Sequence, residues 1–267
     1  MMLSHTLPLQ LVQLSDLHLF AQAESDLLGL RTLDSFEAIL SDLGQQHPRP
    51  DLLLLTGDLS QDETPAAYAR IGNLLRPLNT PTYWLPGNHD HLPTMQQALS
   101  TPPLYPDKSI HCGAWRLLLL NSSVPGQVHG HLSATSLAWL EQELQVAAPH
   151  PTLIALHHPP FLVNSTWLDK SGLQNSEALF AILDRYNHIK LVLFGHIHQE
   201  FHRQRQGVHY LSTPSTCIQF APQSSGFALD EINPGYRCLT LNPDGSFATQ
   251  VRRIQMQQQL NLAAQGY

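Results

Sequence analysis

The sequence predicts an α/β fold, a single domain in which sheets pack face to face and helices lie outside. Three observations predict it. Short apolar runs alternate with helical spacing through the first two thirds of the chain. After residue 198 the pattern changes to short strands joined by turn signals. The length, 267 residues of which 42% are hydrophobic, suffices to bury one sizeable core.

The elements come in chain order. Residues 9–14 read as a strand. Leu33, Phe36, Ile39, Leu40 and Leu43 recur at helical spacing, and Gly44 comes next as a stop. Residues 51–55 read as a buried strand. Thr64 and Pro65 supply a cap and a first-turn proline, and Tyr68, Ile71, Leu74, Leu75 and Leu78 continue one helical face. Residues 82–85 and 115–121 are further strands. Ser133 opens a helix whose apolar side carries Leu137, Leu140 and Leu144. Residues 152–156 form a strand, 177–186 a helix and 190–194 a strand. Beyond them, Gln206-Gly207, Asn233-Pro234-Gly235 and Asn242-Pro243-Asp244-Gly245 mark turns. Residues 1–254 read as one domain, and the glutamine-rich stretch 255–267 as a mobile or loosely docked tail.

Charge narrows the partners. The net charge of −7, from 14 basic against 21 acidic residues, argues against a protein that tracks nucleic acid, which needs clustered Lys and Arg. Cys112, Cys217 and Cys238 include no C-x-x-C pair, so neither a disulfide framework nor a zinc ribbon is expected, and a reducing compartment fits. No Lys or Arg precedes Arg31, and the longest aliphatic runs, 52–55 and 117–120, are too short for a bilayer. The expectation is a cytoplasmic protein with no membrane partner. The 16 histidines outnumber Lys and Arg together, and only their positions tell ligands from bystanders.

Five apolar runs each end in polar groups: Asp16-Leu17-His18, Gly57-Asp58, Gly87-Asn88-His89-Asp90, His157-His158 and Gly195-His196-Ile197-His198. In α/β sheets, ligands bind just beyond the carboxyl ends of strands. The glycines let backbone turn tightly beside a bound ion or substrate. A lone Asp at a strand end is more often a helix cap, and a lone His-x-His is weak. Five such clusters buried together without a partner would be very costly, so a joint metal site is the better reading. Imidazole, carboxylate and amide donors without thiolate suit Mn, Fe, Zn or Co. Seven ligands exceed one tetrahedral site, and two ions sharing a carboxylate fit better.

The order D-x-H, G-D, G-N-H-D, H, G-H-x-H across residues 16–198 resembles the calcineurin-like metallophosphoesterases. Residues 57–63, 165–170, 195–200 and 213–220 further resemble the bacterial class III cyclic-AMP phosphodiesterases. Apart from Asp58, His196 and His198, the residues of these four stretches are not needed to hold metal and so discriminate that branch. The resemblance implies a four-layer α/β/β/α sandwich of two mixed sheets. It implies that Asp16, His18, Asp58 and His198 hold a first divalent metal ion. Asp58, Asn88, His157 and His196 then hold a second, with Asp58 as the bridge. His89 matches the family's catalytic histidine, with His18, Asn88, His89 and His198 facing substrate. The choice of His157 over His158 rests on the motif, and His158 is expected to orient a ligand from behind.

The implied activity is hydrolysis of 3′,5′-cyclic AMP to 5′-AMP, with a metal-bridging hydroxide attacking phosphorus in line. Two ions roughly 3.5–4 Å apart would activate that water and polarise the phosphoryl oxygens. His89, if protonated, would donate to the leaving 3′ oxygen, a contribution of about 10²–10⁴-fold. Two divalent ions, two carboxylates and a hydroxide leave the site near a single positive charge, which a monoanionic diester neutralises better than a dianionic monoester. The alternative is another small diester, such as a glycerophosphodiester or other cyclic nucleotide. A non-catalytic scaffold would be expected to lose ligands, and none is missing. Neither a G-x-x-x-x-G-K-[ST] loop nor H-E-x-x-H occurs. His91, His129 and His131 lie near the motif loops and are lesser substrate candidates. His5, His47, His111, His150, His188, His202 and His209 read as bland. Cys217 reads as a small buried thiol, and Trp167 and Phe220 as either structural aromatics or the walls of an adenine site.

Overall fold

The computed structural model describes residues 7–45 and 48–266. His5 and His47 lie outside the described residues. Among those described are two six-stranded mixed sheets. The first runs Phe247–Arg253, Gly235–Leu241, Leu9–Leu14, Leu52–Thr56, Thr82–Leu85, Leu104–Tyr105 from edge to edge. Its last four strands are parallel and its first two antiparallel. The second runs Phe201–Arg205, Val208–Ser212, Ile189–Phe194, Thr152–Ala155, Trp115–Leu119, Ser109–Cys112, with antiparallel pairs at both edges.

The leucine runs are explained by burial on both faces. Leu52 and Leu54 point between the sheets, where they meet Leu117, Leu153, Leu191 and Leu193 of the second sheet. Leu53 and Leu55 point the other way, onto Phe36, Ile39, Tyr68 and Ile71 of helices Thr32–Gly44 and Pro65–Leu75. On the far side, Ile154, Val192 and Phe194 pack on Leu140, Leu144, Leu179 and Leu183 of helices Ala134–Ala147 and Ser176–Leu183. The layers are therefore α/β/β/α, as the sequence predicts.

Local signals hold in most places. Thr64 Oγ1 accepts from the Ala67 amide, and Ser133 Oγ from the Ser136 amide, so both caps form. Gly44 is the last helical residue rather than the stop after it. Asp51 precedes its strand and accepts from the Gln10 amide at 2.8 Å. The strand expected over 115–121 ends at Leu119, and the helix expected over 177–186 spans Ser176–Leu183. Helix Leu92–Ala98 and the edge strands Leu104–Tyr105 and Ser109–Cys112 were not expected. Helix 92–98 buries only Met95, too little for a helical period to show. Past residue 254 the chain lies along residues 28–29, with the Asn261 amide donating to Leu28 O at 2.8 Å and Met256 and Leu260 against the core. No helix among the described residues is long and apolar enough to cross a membrane.

Candidate dimetal centre

Strands Leu9–Leu14, Leu52–Thr56 and Thr82–Leu85 of the first sheet end beside Thr152–Ala155 and Ile189–Phe194 of the second. Gln13 Nε2 donates to Phe194 O across 3.0 Å, and the His196 amide donates to Asp16 Oδ1 at 3.1 Å. The five polar loops thus converge on one point. Their backbone is unusual. Asp16, His18, Asp58, His196 and His198 have φ of 55°, 47°, 51°, 70° and 48°. Few residues other than glycine adopt this left-handed region, and such residues cluster at functional sites. Gly57 (φ 96°) permits the second loop to approach, because a Cβ there would stand 2.5 Å from His157 Nδ1 and 2.7 Å from the Gly87 amide nitrogen.

Asp58 stands in the middle. Its Oδ2 lies 3.2 Å from His157 Nε2 and 3.9 Å from His18 Nε2, while Oδ1 accepts from the His89 amide at 2.8 Å. On one side, His198 Nε2 is 3.2 Å from His18 Nε2 and 3.5 Å from Asp16 Oδ1. On the other, His157 Nε2 is 3.3 Å from Asn88 Oδ1, and the His157 and His196 rings meet edge-on at 5.1 Å. All seven residues read as ligands from the sequence are therefore together.

The donors fit divalent ions. His18 Nδ1 donates to Gln61 Oε1 at 2.6 Å, and His198 Nδ1 donates to Ile218 O at 2.8 Å. Both ring protons are thus placed on Nδ1, and two Nε2 lone pairs face each other. Two acceptors at that distance repel unless a cation lies between them. His157 is oriented in the same way, Nδ1 donating to Thr56 O at 2.8 Å. Carboxylates, an amide and outward-anchored imidazoles make a donor set for two such ions.

Burial, with His89 adding to it, pushes His18 down to about 3, and burial with His158 takes His196 well below the usual range, so both are neutral donors. Burial opposes ionisation of Asp58, yet the His157 and His89 imidazoles outweigh it and hold the carboxyl well below its ordinary value. Burial likewise opposes ionisation of Asp16, and His198 overcomes it. His157 is pushed down by burial but held up to about 9 by Asp58, a proton that a bound cation would displace. His158 uses both nitrogens elsewhere: Nε2 donates to Val128 O at 3.1 Å, and Nδ1 pairs with Ser122 Oγ at 2.8 Å.

A cavity of about 600 Å³ opens over the site, lined by Asn88, His89, His129, His196, Trp167 and Phe220 among others. His18 and His198 are fully buried beneath the surface. His91 instead sits before helix 92–98 with its ring on Thr94 Oγ1, and His131 lies by Asn175. Cys217 is buried, and burial pushes its thiol up to about 12.

Sequence patterning alone gives no role to Asp90. Its carboxylate accepts from the amides of Gly87 (2.9 Å), Leu59 and Ser60 (3.1 Å each) and from Tyr68 Oη (3.0 Å). It thereby ties the loop of Asp58 to the loop of Asn88. Burial and the Asp58 charge push it up to about 6. The closing D of G-N-H-D is the visible signal.

Comparison with known proteins agrees with this geometry. The sequence profile of the calcineurin-like phosphoesterases matches residues 9–200. A 3′,5′-cyclic-nucleotide phosphodiesterase of Nostoc sp. is 50% identical over 252 residues, covering 94% of this chain and 95% of that protein. The 3′,5′-cyclic adenosine monophosphate phosphodiesterase CpdA of Escherichia coli K12 is 42% identical over 270 residues, 98% of each chain. Among solved structures, a dimetal phosphatase from Danio rerio superposes with a TM-score of 0.61 at 14% identity, covering 90% of this chain and 98% of that one. A purple acid phosphatase from yellow lupin gives 0.67 at 15% identity, covering 92% and 51%. At such identities these two structures speak for the fold alone.

Proposed function

The chain belongs to the calcineurin-like phosphoesterase family, and from that premise we propose that it hydrolyses 3′,5′-cyclic AMP to 5′-AMP at a two-metal centre. The observation that carries this is the placement of Asp58 between two sets of ligands, one oxygen facing both His18 and His157. The substrate is that of the relatives, which carry cyclic-nucleotide phosphodiesterase names at 40–50% identity over most of the chain. A cavity of about 600 Å³ beside the centre has room for a mononucleotide.

Asp16, His18, Asp58 and His198 would hold the first metal ion, and Asp58, Asn88, His157 and His196 the second. Two divalent ions held there would supply Lewis-acid activation of a water and of the phosphoryl oxygens. The chain's own groups do the rest. The Asp58 carboxylate accepts the His89 amide proton and so fixes where the His89 side chain stands at the cavity wall. That imidazole supplies a proton to the departing 3′ oxygen, which as a free alkoxide is a poor leaving group. The reaction belongs in a reducing cytoplasm, which suits three free cysteines.

The test is hydrolysis of a panel by protein reloaded with Mn²⁺ or Fe²⁺: 3′,5′-cyclic AMP, cyclic GMP, glycerophosphodiesters and bis-p-nitrophenyl phosphate. Turnover of cyclic AMP to 5′-AMP is expected. Turnover of the artificial diester alone would keep the centre and overturn the substrate.

A further inference from the structure

The family profile ends at residue 200, and every proposed ligand precedes that point. Yet a turn from the C-terminal third closes over one half of the site. Ser215 Oγ donates to Asp16 O at 2.7 Å, and Cys217 Sγ donates to the same carbonyl at 3.3 Å. Ser215 Oγ also accepts from the Cys217 amide at 2.8 Å, so one hydroxyl is used in both directions. The Thr216 amide donates to Ser15 O at 3.1 Å, and Ile218 O accepts from His198 Nδ1 at 2.8 Å. Gln219 Nε2 closes the turn on Ser215 O (2.8 Å) and Cys217 O (3.0 Å). Ser215 and Cys217 are both fully buried.

The second set of ligands is held by other elements. His157 Nδ1 is on Thr56 O, and His196 Nε2 is 2.9 Å from Ser171 Oγ. Asp16 sits at φ 55°, and the turn fixes its carbonyl two residues before His18. Resting on the two-metal reading above, we propose that Ser215 and Cys217 are positioning residues for the Asp16–His18–His198 metal position and not for the Asn88–His157–His196 position. Groups that orient metal ligands from behind typically change metal affinity by about 10–100-fold.

The experiment loads the full-length protein with Mn²⁺ and lowers free Mn²⁺ with a chelator buffer. Metal per chain is read by elemental analysis, and folding by far-UV circular dichroism. In Ser215→Ala, one equivalent should leave at about 10–100-fold higher free Mn²⁺ than in the wild type, while the other leaves where it did. Asn88→Ala should shift the other equivalent, which assigns the two. Cys217→Ala should shift the same equivalent as Ser215→Ala by less, and Cys217→Ser, which keeps a donor, should restore it. If Ser215→Ala does not fold, the Cys217 pair decides. A profile unchanged in these variants, or both equivalents shifting together, overturns the proposal. A wild type that never holds two equivalents overturns the two-metal reading instead.

Discussion

Replacing Gly57 by alanine tests whether the site depends on close backbone approach. Two costs arise. Alanine in the left-handed region costs roughly 1–2 kcal/mol. The new methyl would also stand 2.5 Å from His157 Nδ1 and 2.7–2.8 Å from the Gly87 backbone. The Gly87 contacts are main chain and yield little, so the imidazole must move. The ring then loses Thr56 O, its partner at 2.8 Å, and its own buried N–H is left unpaired while Thr56 O keeps only the Ser15 hydroxyl at 3.4 Å, a further ~1–3 kcal/mol. These two terms come to about 2–5 kcal/mol, before any displacement of the Gly87 main chain is added, and are a sizeable part of a typical domain's stability. Gly57→Ala should therefore fold, unfold at lower denaturant, and bind less than two metal equivalents, because His157 is displaced. Gly207→Ala is the control: its φ is 81° but nothing lies within 4 Å of the added Cβ. It should show only the first cost. Urea titration of both variants, with metal content by elemental analysis, separates the terms. A Gly57→Ala protein with the stability of Gly207→Ala and full metal content would refute the reasoning.

Other substitutions probe the remaining parts. Asp58→Ala should abolish turnover and leave fewer than two equivalents of metal by elemental analysis. His89→Ala should lower kcat by about 10²–10⁴-fold with metal content unchanged; full activity would remove it from proton transfer. Asp90→Asn puts amide hydrogens against backbone donors and should cost roughly 1–3 kcal/mol in urea unfolding, with metal loss accompanying it. Burial lowers the Lys108 ammonium to about 8, against an ordinary value of 10.5. Between those values the unfolded chain binds more protons, so stability should rise with pH through that window. Lys108→Met should flatten that rise in unfolding curves taken at pH 8 and pH 10.5.

Much of the site was legible because strand ends are legible. Leu52 to Leu55 announce a strand buried on both faces, and Gly57-Asp58 marks the loop at its carboxyl end. The rule that sites form beyond parallel strand ends gathers the candidate groups, and the family resemblance is what assigns them to two metal positions and picks His157 over His158. The groups that orient them were not legible. Gln61 and Ile218 lie in stretches set aside as unnecessary for metal, yet they fix the tautomers of His18 and His198. Ser215 is 199 residues from the carbonyl it holds, a pairing that no local pattern encodes. Helix 92–98 and the two short edge strands escaped for a simpler reason, since each buries too few side chains to show a period.

Five proposed ligands in left-handed backbone raise the question of what keeps them there. At roughly 1–2 kcal/mol each, their combined cost approaches the net stability of an ordinary domain. Side-chain affinity for a cation cannot hold the chain before the cation arrives. The answer lies in the sheet. Past the ends of strands Leu9–Leu14 and Leu52–Thr56, the Asp16 amide still donates to Gly57 O (2.9 Å), His18 to Asp58 O and Leu19 to Leu59 O (3.0 Å each). The parallel pairing continues to a bridge between Leu19 and Ser60. The two aspartates are thus held by the same kind of bonds that hold the strands, while their left-handed φ turns the carboxylates toward the second sheet. There Asp16 meets the His196 amide, itself at the end of a parallel strand. The left-handed backbone of the two aspartates is therefore supported by the sandwich's own hydrogen bonds as well as by their side chains' partners. This is why a conservative change at a backbone contact such as Gly57 should damage metal binding as much as the loss of a ligand does.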